Sequence, residues 1–174
     1  MTLVEEKLQR FIEIAESQIG VTEVGGDNSG EAVEEYQKIV DKKARKEPWC
    51  MALVQWCIKK VELEFSTHSY VFKSEGCLDV WRNTPIMCRI ENPQVGAIVI
   101  WGMYDSTGNP TPFGHCGIVT NIKSDLIFET VEGNTGPGGS YDKINRDGDG
   151  VYARTRSVAG SFTMRIEGYI LPWV

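Results

Sequence analysis

Cys50 is the residue of this sequence best placed to act as a nucleophile. It follows Pro48 by two residues, at the start of an apolar run over residues 49–60 that predicts a buried helix with Pro48 in its first turn. Unpaired N–H groups and the positive end of the helix dipole at such a position favour the thiolate, the reactive form of cysteine. Cys50 is also flanked by Trp49 and Met51, so a small buried core residue is the alternative interpretation.

His115 is the better of the two histidines as a partner for Cys50. It lies in Gly114-His115-Cys116-Gly117, at the start of a predicted strand whose glycines leave room beside the ring, whereas His68 lies in a polar stretch. A histidine at a strand edge that is satisfied by a backbone carbonyl is the alternative.

Two polar residues of the next predicted strand could orient His115. A turn centred on residues 123–124 predicts that His115 lies opposite Val131 or Glu132, with Glu132 and Asn134 on one face of the hairpin. Either side chain could accept the imidazole N–H and fix its tautomer, as the third member of a Cys/His arrangement must do.

The elements that must position these residues change type along the chain. Apolar periodicity predicts helices at 3–19, 31–40 and 49–60, one short helix near 76–82, and strands at 95–102, 114–121, 126–131 and within 161–174. Helices followed by strands predict an α+β architecture, with N-terminal helices packed on one face of a mostly antiparallel sheet. The length of 174 residues fits a single domain over residues 1–174.

Composition excludes several classes of function. The net charge of −6 and the lack of a long basic block argue against a nucleic-acid partner. No run approaches the about 18 apolar residues that a membrane span needs. Glu5, Glu6 and Lys7 stand where a secretion signal would be apolar, so we expect a protein made in the cytosol without a signal peptide. The five cysteines are an odd number at irregular spacing and predict free thiols.

Four blocks of the sequence carry a family resemblance. They are residues 47–54 (Glu-Pro-Trp-Cys-Met-Ala-Leu-Val), 92–101 (Asn-Pro-Gln-Val-Gly-Ala-Ile-Val-Ile-Trp), 114–119 (Gly-His-Cys-Gly-Ile-Val) and 131–135 (Val-Glu-Gly-Asn-Thr). In this order they resemble the blocks of the CHAP family, the cysteine, histidine-dependent amidohydrolases/peptidases that cut peptidoglycan. The region near residues 19–36 is similar to the N-terminal part of phage endolysin and tail-associated members.

The resemblance implies a papain-like fold and a site. Cys50 would be the nucleophile, His115 the general base, Glu132 the residue that orients it and Asn134 a second polar member. Among the tryptophans, Trp49 is the one that we expect to border the cleft beside Cys50 and contact substrate, with packing in the core as the alternative interpretation. Many relatives have an aliphatic residue in place of Cys116, so a thiol beside the histidine is a departure.

The implied function is endolysin-like hydrolysis of peptidoglycan, as an N-acetylmuramoyl-L-alanine amidase or a peptidoglycan endopeptidase. We expect a monomer that needs no cofactor and acts in the periplasm or cell wall after release by another protein. The alternatives are a non-catalytic wall-binding or phage structural module, and a thiol protease or effector that acts on an amide outside the wall.

Metal sites are not expected from the sequence. Cys50 and Cys57 are seven residues apart, about 10 Å along a helix, which is too far to share a zinc ion. Residues 145–150 (Asn-Arg-Asp-Gly-Asp-Gly) match the first half of a calcium loop, but Arg156 stands where the bidentate glutamate should be, so a turn is expected. Some members of the CHAP family bind calcium near the N-terminal loop, and by that resemblance Asp27 and Asn28 would be the candidate donors in this chain.

Overall fold

The protein has a helical layer built by the first half of the chain and a sheet built by the second. The computed structural model describes residues 1–137 and 148–174. Its helices are α1 (Leu3–Glu16), α2 (Glu31–Asp41), α3 (Cys50–Phe65) and α4 (Cys77–Asn83), followed by a 3₁₀ turn (Ile86–Cys88). Its strands are β1 (Arg89–Ile90), β2 (Ile98–Tyr104), β3 (Pro110–Ile122), β4 (Ile127–Thr135), β5 (Gly150–Ser157) and β6 (Met164–Ile170). The predicted α+β, papain-like arrangement is confirmed.

The sheet has the order β1-β6-β2-β3-β4-β5, and all its pairs are antiparallel. Along β2, Ile98 and Ile100 belong to the main core with the helices, while Val99 and Trp101 belong to a second apolar cluster. Burial of both sets explains why this strand is an unbroken apolar run in the sequence rather than an alternating one. No helix in the described part of the chain is long and apolar enough to cross a bilayer.

The helix α3 is the central element of the helical layer. It begins at Cys50, with Trp49 as its N-cap, so Pro48 precedes the helix instead of occupying its first turn as predicted. It also continues beyond the predicted end at Lys60, because Val61 is buried in the core and favours a further turn. The helix stops where Ser66 adopts a left-handed conformation with φ of 49°.

The hairpin of β3 and β4 carries the predicted site residues, in a different register from the predicted one. Ile118 pairs with Val131, so the prediction that His115 lies opposite Val131 or Glu132 is wrong. The chain turns later than expected, since the N–H of Lys123 donates to the carbonyl of Ile127, and the register shifts after Val119. This register brings Gly117 against Glu132, where the missing side chain leaves space for the glutamate.

Candidate active site

Cys50 is the first residue of α3 and borders a cleft. Its side chain is 5% exposed. The cleft has a volume of about 240 Å³ and reaches both Cys50 and Cys77, with Glu47, Glu75 and Phe113 also on its walls. The side chain of the N-cap Trp49 accepts no hydrogen bond from the helix start, which leaves the first N–H groups of α3 free of a side-chain cap. The nucleophile candidate is thus accessible from one side and lies at the positive end of a helix.

His115 is held by Glu132. Its Nε2 lies 2.8 Å from Oε2 of Glu132, and both side chains are buried. Its ring stacks on Trp101 of the neighbouring strand, with the ring centroids 5.6 Å apart. Because Glu132 takes Nε2, Nδ1 is the ring nitrogen that remains to face Cys50.

Glu132 is itself fixed by two further donors. Its Oε1 accepts hydrogen bonds from Oγ1 of Thr130 at 2.6 Å and from Nε of Arg156 at 2.7 Å. The Nη2 of Arg156 pairs with Oε2, which makes the ion pair bidentate. Three neighbours therefore determine where the carboxylate points and what charge it carries.

Electrostatics favour a charged state at all three predicted positions. Hydrogen bonds from Cys116 and Cys77 and an interaction with His115 hold the pKa of Cys50 well below its ordinary value, against the effect of burial. Burial alone would lower the pKa of His115, but its hydrogen bonds with Cys50 and Glu132 raise it to about 9. Burial alone would raise the pKa of Glu132, but Arg156 and His115 keep that pKa far below its ordinary range. The arrangement favours a thiolate and an imidazolium side by side.

Two more cysteines surround the Cys50 sulfur. The Sγ atoms of Cys50 and Cys77 are 3.6 Å apart, and the three sulfurs of Cys50, Cys77 and Cys116 lie within 4.8 Å of one another. Burial and its hydrogen bonds to the other two sulfurs raise the pKa of Cys116 well above the ordinary value. Cys77 and Cys116 thus act as S–H donors to the thiolate of Cys50. All five cysteines of the chain are free and buried.

Asn134 lies at the end of β4, close in sequence to Glu132. It is 2% exposed and has a left-handed backbone with φ of 53°, a conformation that asparagine tolerates better than most residues. The pairing of β4 with β5 is irregular between Glu132 and Thr135, so Asn134 is part of a bulge that turns the end of the strand.

Trp49 does not border the cleft, and this prediction is wrong. Its side chain is fully buried, its Nε1 donates to Oε1 of Glu23 at 2.8 Å, and its ring lies 5.7 Å from that of Tyr36. A Cβ atom at Gly133 would come within 2.9 Å of this ring and 2.8 Å of Leu53. Trp49 therefore sets how closely the start of α3 approaches β4, and the apolar surroundings that suggested a cleft wall are core.

The structure describes some of the candidate metal-binding residues and leaves others outside its described ranges. Asn145 to Asp147 of the calcium-type loop lie outside the described residues. Asp27 is exposed, in the loop before α2. Among the residues that the structure describes, the three cysteines at positions 50, 77 and 116 are the group of three metal-ligating side chains that meet.

Sequence reasoning missed three members of the site: Cys77, Thr130 and Arg156. Cys77 reaches Cys50 through the fold of the 66–76 segment, which has no periodic pattern. Arg156 could have been found by asking which cation pairs with a glutamate inside a strand, because a buried carboxylate needs one.

The comparisons with known proteins agree with this geometry. None of the curated proteins compared matches the chain. The family model described as "CHAP domain" matches residues 42–134, which is just over half of the 174 residues and includes Cys50, His115, Glu132 and Asn134. The chain belongs to the CHAP family, a family of peptidoglycan-hydrolase-type amidases and peptidases.

Proposed function

We propose that this protein hydrolyses an amide bond of bacterial peptidoglycan by thiol catalysis, with Cys50 as nucleophile and His115 as acid and base. The observation that carries the proposal is the chain of contacts from the first residue of α3 through His115 to the buried Glu132. The pKa shifts of these three groups favour the thiolate, imidazolium and carboxylate forms that nucleophilic attack requires.

In the first half of the reaction, the Cys50 thiolate attacks the carbonyl carbon of the amide. The resulting tetrahedral intermediate collapses to a thioester as the C–N bond breaks, and the Nδ1–H of His115 gives its proton to the departing amine. The first N–H groups of α3 are oriented to stabilise the oxyanion, and each such donor is worth about 2.7–4 kcal/mol in known enzymes.

In the second half, neutral His115 accepts a proton from a water molecule that attacks the thioester. The carboxylic acid product leaves, and Cys50 and His115 return to the thiolate and imidazolium pair. Glu132 keeps its charge throughout and stabilises the imidazolium, while Arg156 and Thr130 hold the carboxylate in place. Glu132 is thus a positioning residue, and we assign Asn134 a second polar role at the same strand end.

The proposed substrate follows from family membership and from access. Amidases and endopeptidases of the wall must reach a branched polymer, and Cys50 lies on the wall of a cleft that Glu75 and Phe113 also line. We propose that the protein works in the wall or periplasm, in the manner of an endolysin, where this polymer is found. A non-catalytic binding module would have no need for a buried carboxylate that holds an imidazolium beside a thiolate.

The test is the release of soluble fragments from purified cell walls. The wild type should release them, while Cys50→Ala and His115→Ala should lose essentially all activity because no nucleophile or proton carrier remains. Cys57→Ala is the matched control, since it removes a buried thiol from the same helix about 10 Å away. Equal activity of Cys50→Ala and the wild type would refute the mechanism.

Mass spectrometry of the fragments identifies the bond. A free lactyl carboxylate on the sugar together with a free L-alanine amine would indicate an N-acetylmuramoyl-L-alanine amidase. New termini within the peptides would indicate an endopeptidase. Wall binding with no new termini of either kind would favour the binding module, and activity on a protein amide alone would favour the effector.

A further inference from the structure

Three thiols converge at the end of the cleft, and hydrolysis by a Cys/His pair uses only one of them as a nucleophile. We propose that Cys50, Cys77 and Cys116 form a binding site for one zinc ion, which silences Cys50 when it is bound. The ligands come from three elements: the start of α3, the start of α4 and the middle of β3. The site thus depends on the tertiary fold, which is why no pair of closely spaced cysteines signals it in the sequence.

The distances between the sulfurs fit zinc. Tetrahedral coordination with Zn–S bonds of about 2.3 Å places neighbouring sulfurs about 3.8 Å apart. Cys50 and Cys77 are already 3.6 Å apart, and the third sulfur is within 4.8 Å of both. An adjustment of about 1 Å or less at Cys116 therefore completes a three-sulfur site with a fourth position open to the cleft, a ligand count that zinc accepts.

The charge of the three sulfurs fits a divalent cation once Cys77 and Cys116, like Cys50, have lost their protons. Three thiolates would place a charge of −3 in a site whose members are 5%, 5% and 0% exposed, which burial strongly opposes. A divalent ion reduces that charge to −1 as the thiol protons leave to solvent. Soft sulfur ligands select zinc and related ions over calcium or magnesium, which prefer oxygen.

The cleft supplies the entry path, and binding has a direct chemical consequence. Cys50 and Cys77 both line the cleft wall, so an ion can reach them from solvent without unfolding of the core. A sulfur that donates its electron pair to zinc is no longer free to attack a carbonyl or an alkylating reagent. Zinc should therefore protect Cys50 from alkylation and block hydrolysis, both reversibly with a chelator.

The experiment uses the full chain, kept reduced with a phosphine and free of competing thiols. Equilibrium dialysis should find one zinc per chain, and titration with cadmium should give a sulfur-to-metal charge-transfer band of three thiolates. Cys77→Ala and Cys116→Ala should each lower the band by about one third. Each should also weaken zinc binding by roughly tenfold or more, since even the loss of an outer-shell group costs 10- to 100-fold.

Alkylation of Cys50 by iodoacetamide, read by mass spectrometry, is the second measurement. Zinc should suppress it in the wild type and in the control Cys57→Ala, and should no longer do so at the same concentration in Cys77→Ala or Cys116→Ala. If Cys116→Ala does not fold, Cys77→Ala alone tests the proposal. Cys77 lies on the cleft wall, so its replacement should disturb the core less.

Two results would overturn the proposal. One is zinc binding and protection that stay unchanged in both variants, which would mean that Cys50 alone takes the ion. The other is a loss of Cys50 alkylation that additional reductant reverses and a chelator does not, which would indicate a disulfide between Cys50 and Cys77 in place of a metal. None of these measurements requires a wall substrate, so a failure of the proposed hydrolase function would be recognised separately.

Discussion

Glu132 keeps a negative charge inside the protein because its neighbours supply every hydrogen bond that water would otherwise provide. Thr130 and the guanidinium of Arg156 bind one oxygen, while Arg156 and His115 share the other. A carboxylate that is bonded in this way does not rotate, so the imidazole it holds has a defined direction. The direction of His115 is what allows its second nitrogen to serve Cys50.

The pairing of Cys50 with His115 predicts how the thiol responds to pH. Because hydrogen bonds lower the pKa of Cys50, iodoacetamide should label it at pH 6 much faster than an ordinary thiol, whose pKa is about 8.5. His115→Ala should move the labelling profile to higher pH, since it removes the cation that stabilises the thiolate. Mass spectrometry of the labelled peptide gives the rate at each pH.

Hydrolysis should follow a different profile at high pH. The pKa of His115 is raised to about 9, so the proton that the leaving amine needs is lost above that pH. Wall hydrolysis should therefore fall above about pH 9 while alkylation of Cys50 continues. A hydrolysis rate that keeps rising to pH 10 would contradict the role of His115 as the acid.

At the scale of elements, β3 and β4 approach each other closely at Gly117. A Cβ atom there would lie 2.6 Å from Cγ of Glu132, so the glycine is what allows the glutamate to reach across to His115. The pairing that creates this contact is set by a turn one to two residues later than the sequence suggests.

Gly117→Ala should therefore reduce activity about tenfold or more, because the methyl group displaces Glu132; overpacking of this kind costs about 1–3 kcal/mol. Gly102→Ala is the matched control in the adjacent strand β2. The atoms nearest to its methyl group would all belong to the side chain of the exposed Glu167, whose carboxylate end can move away. Wall-release rates and melting temperatures are compared, and equal activity of the two variants would argue against a positioning role for Glu132.

Arg156 connects β5 to the site, and its removal tests the buried ion pair. Arg156→Met leaves the Glu132 charge without its strongest partner, so the free energy of unfolding should fall by about 3–5 kcal/mol. The double variant Glu132→Gln/Arg156→Met has no such charge and should recover part of this loss without recovering activity. Urea unfolding at pH 7 measures the free energy of unfolding of both variants.

The stability that the ion pair of Glu132 and Arg156 contributes should decrease as the solution becomes more acidic. The folded protein lowers the pKa of Glu132. The stability that the ionised Glu132 contributes is therefore present above the glutamate pKa of the unfolded chain, about 4.3, and is lost as the pH falls towards the pKa in the folded state. The wild type should consequently lose more stability on acidification than the double variant. The same loss in both would show that the ion pair does not govern acid sensitivity.

Much of the candidate site could be predicted from the sequence. The residues that could not be predicted were missed for physical reasons. Cys50, His115 and Glu132 lie in local patterns, a helix start and two strands, that the residue types specify directly. Cys77 and Arg156 join them only through contacts between distant segments, which periodicity does not encode. Trp49 was misplaced because an apolar residue beside a nucleophile suits a cleft wall and a core equally well.

At the scale of the whole molecule, the cleft lies where two connecting segments meet. Glu47 lies near the end of the link from α2 to α3, and Glu75 lies in the link from α3 to α4; both residues line the cleft beside Cys50. Burial and a hydrogen bond shared with Glu47 raise the pKa of Glu75 to about 7. The fold thus brings two acidic groups together although their repulsion opposes it.

This repulsion predicts how the stability of the protein depends on pH. The folded state binds the Glu75 proton more tightly than the unfolded chain, whose glutamate pKa is about 4.3, so stability falls as the pH rises from there towards 7. Glu75→Gln removes the titrating group and should raise the melting temperature at pH 8 by about 2–4 °C, with little change at pH 4.5.

Glu91→Gln, at an exposed position in the link between β1 and β2, controls for the change in net charge. Thermal unfolding of the three proteins between pH 4.5 and 8 separates a local effect at the cleft from a general effect of charge. If Glu91→Gln stabilises the protein at pH 8 as much as Glu75→Gln does, the net charge of −6 is responsible and the cleft is not. If only Glu75→Gln does so, the two links that form the cleft are held together against a repulsion that a single proton relieves.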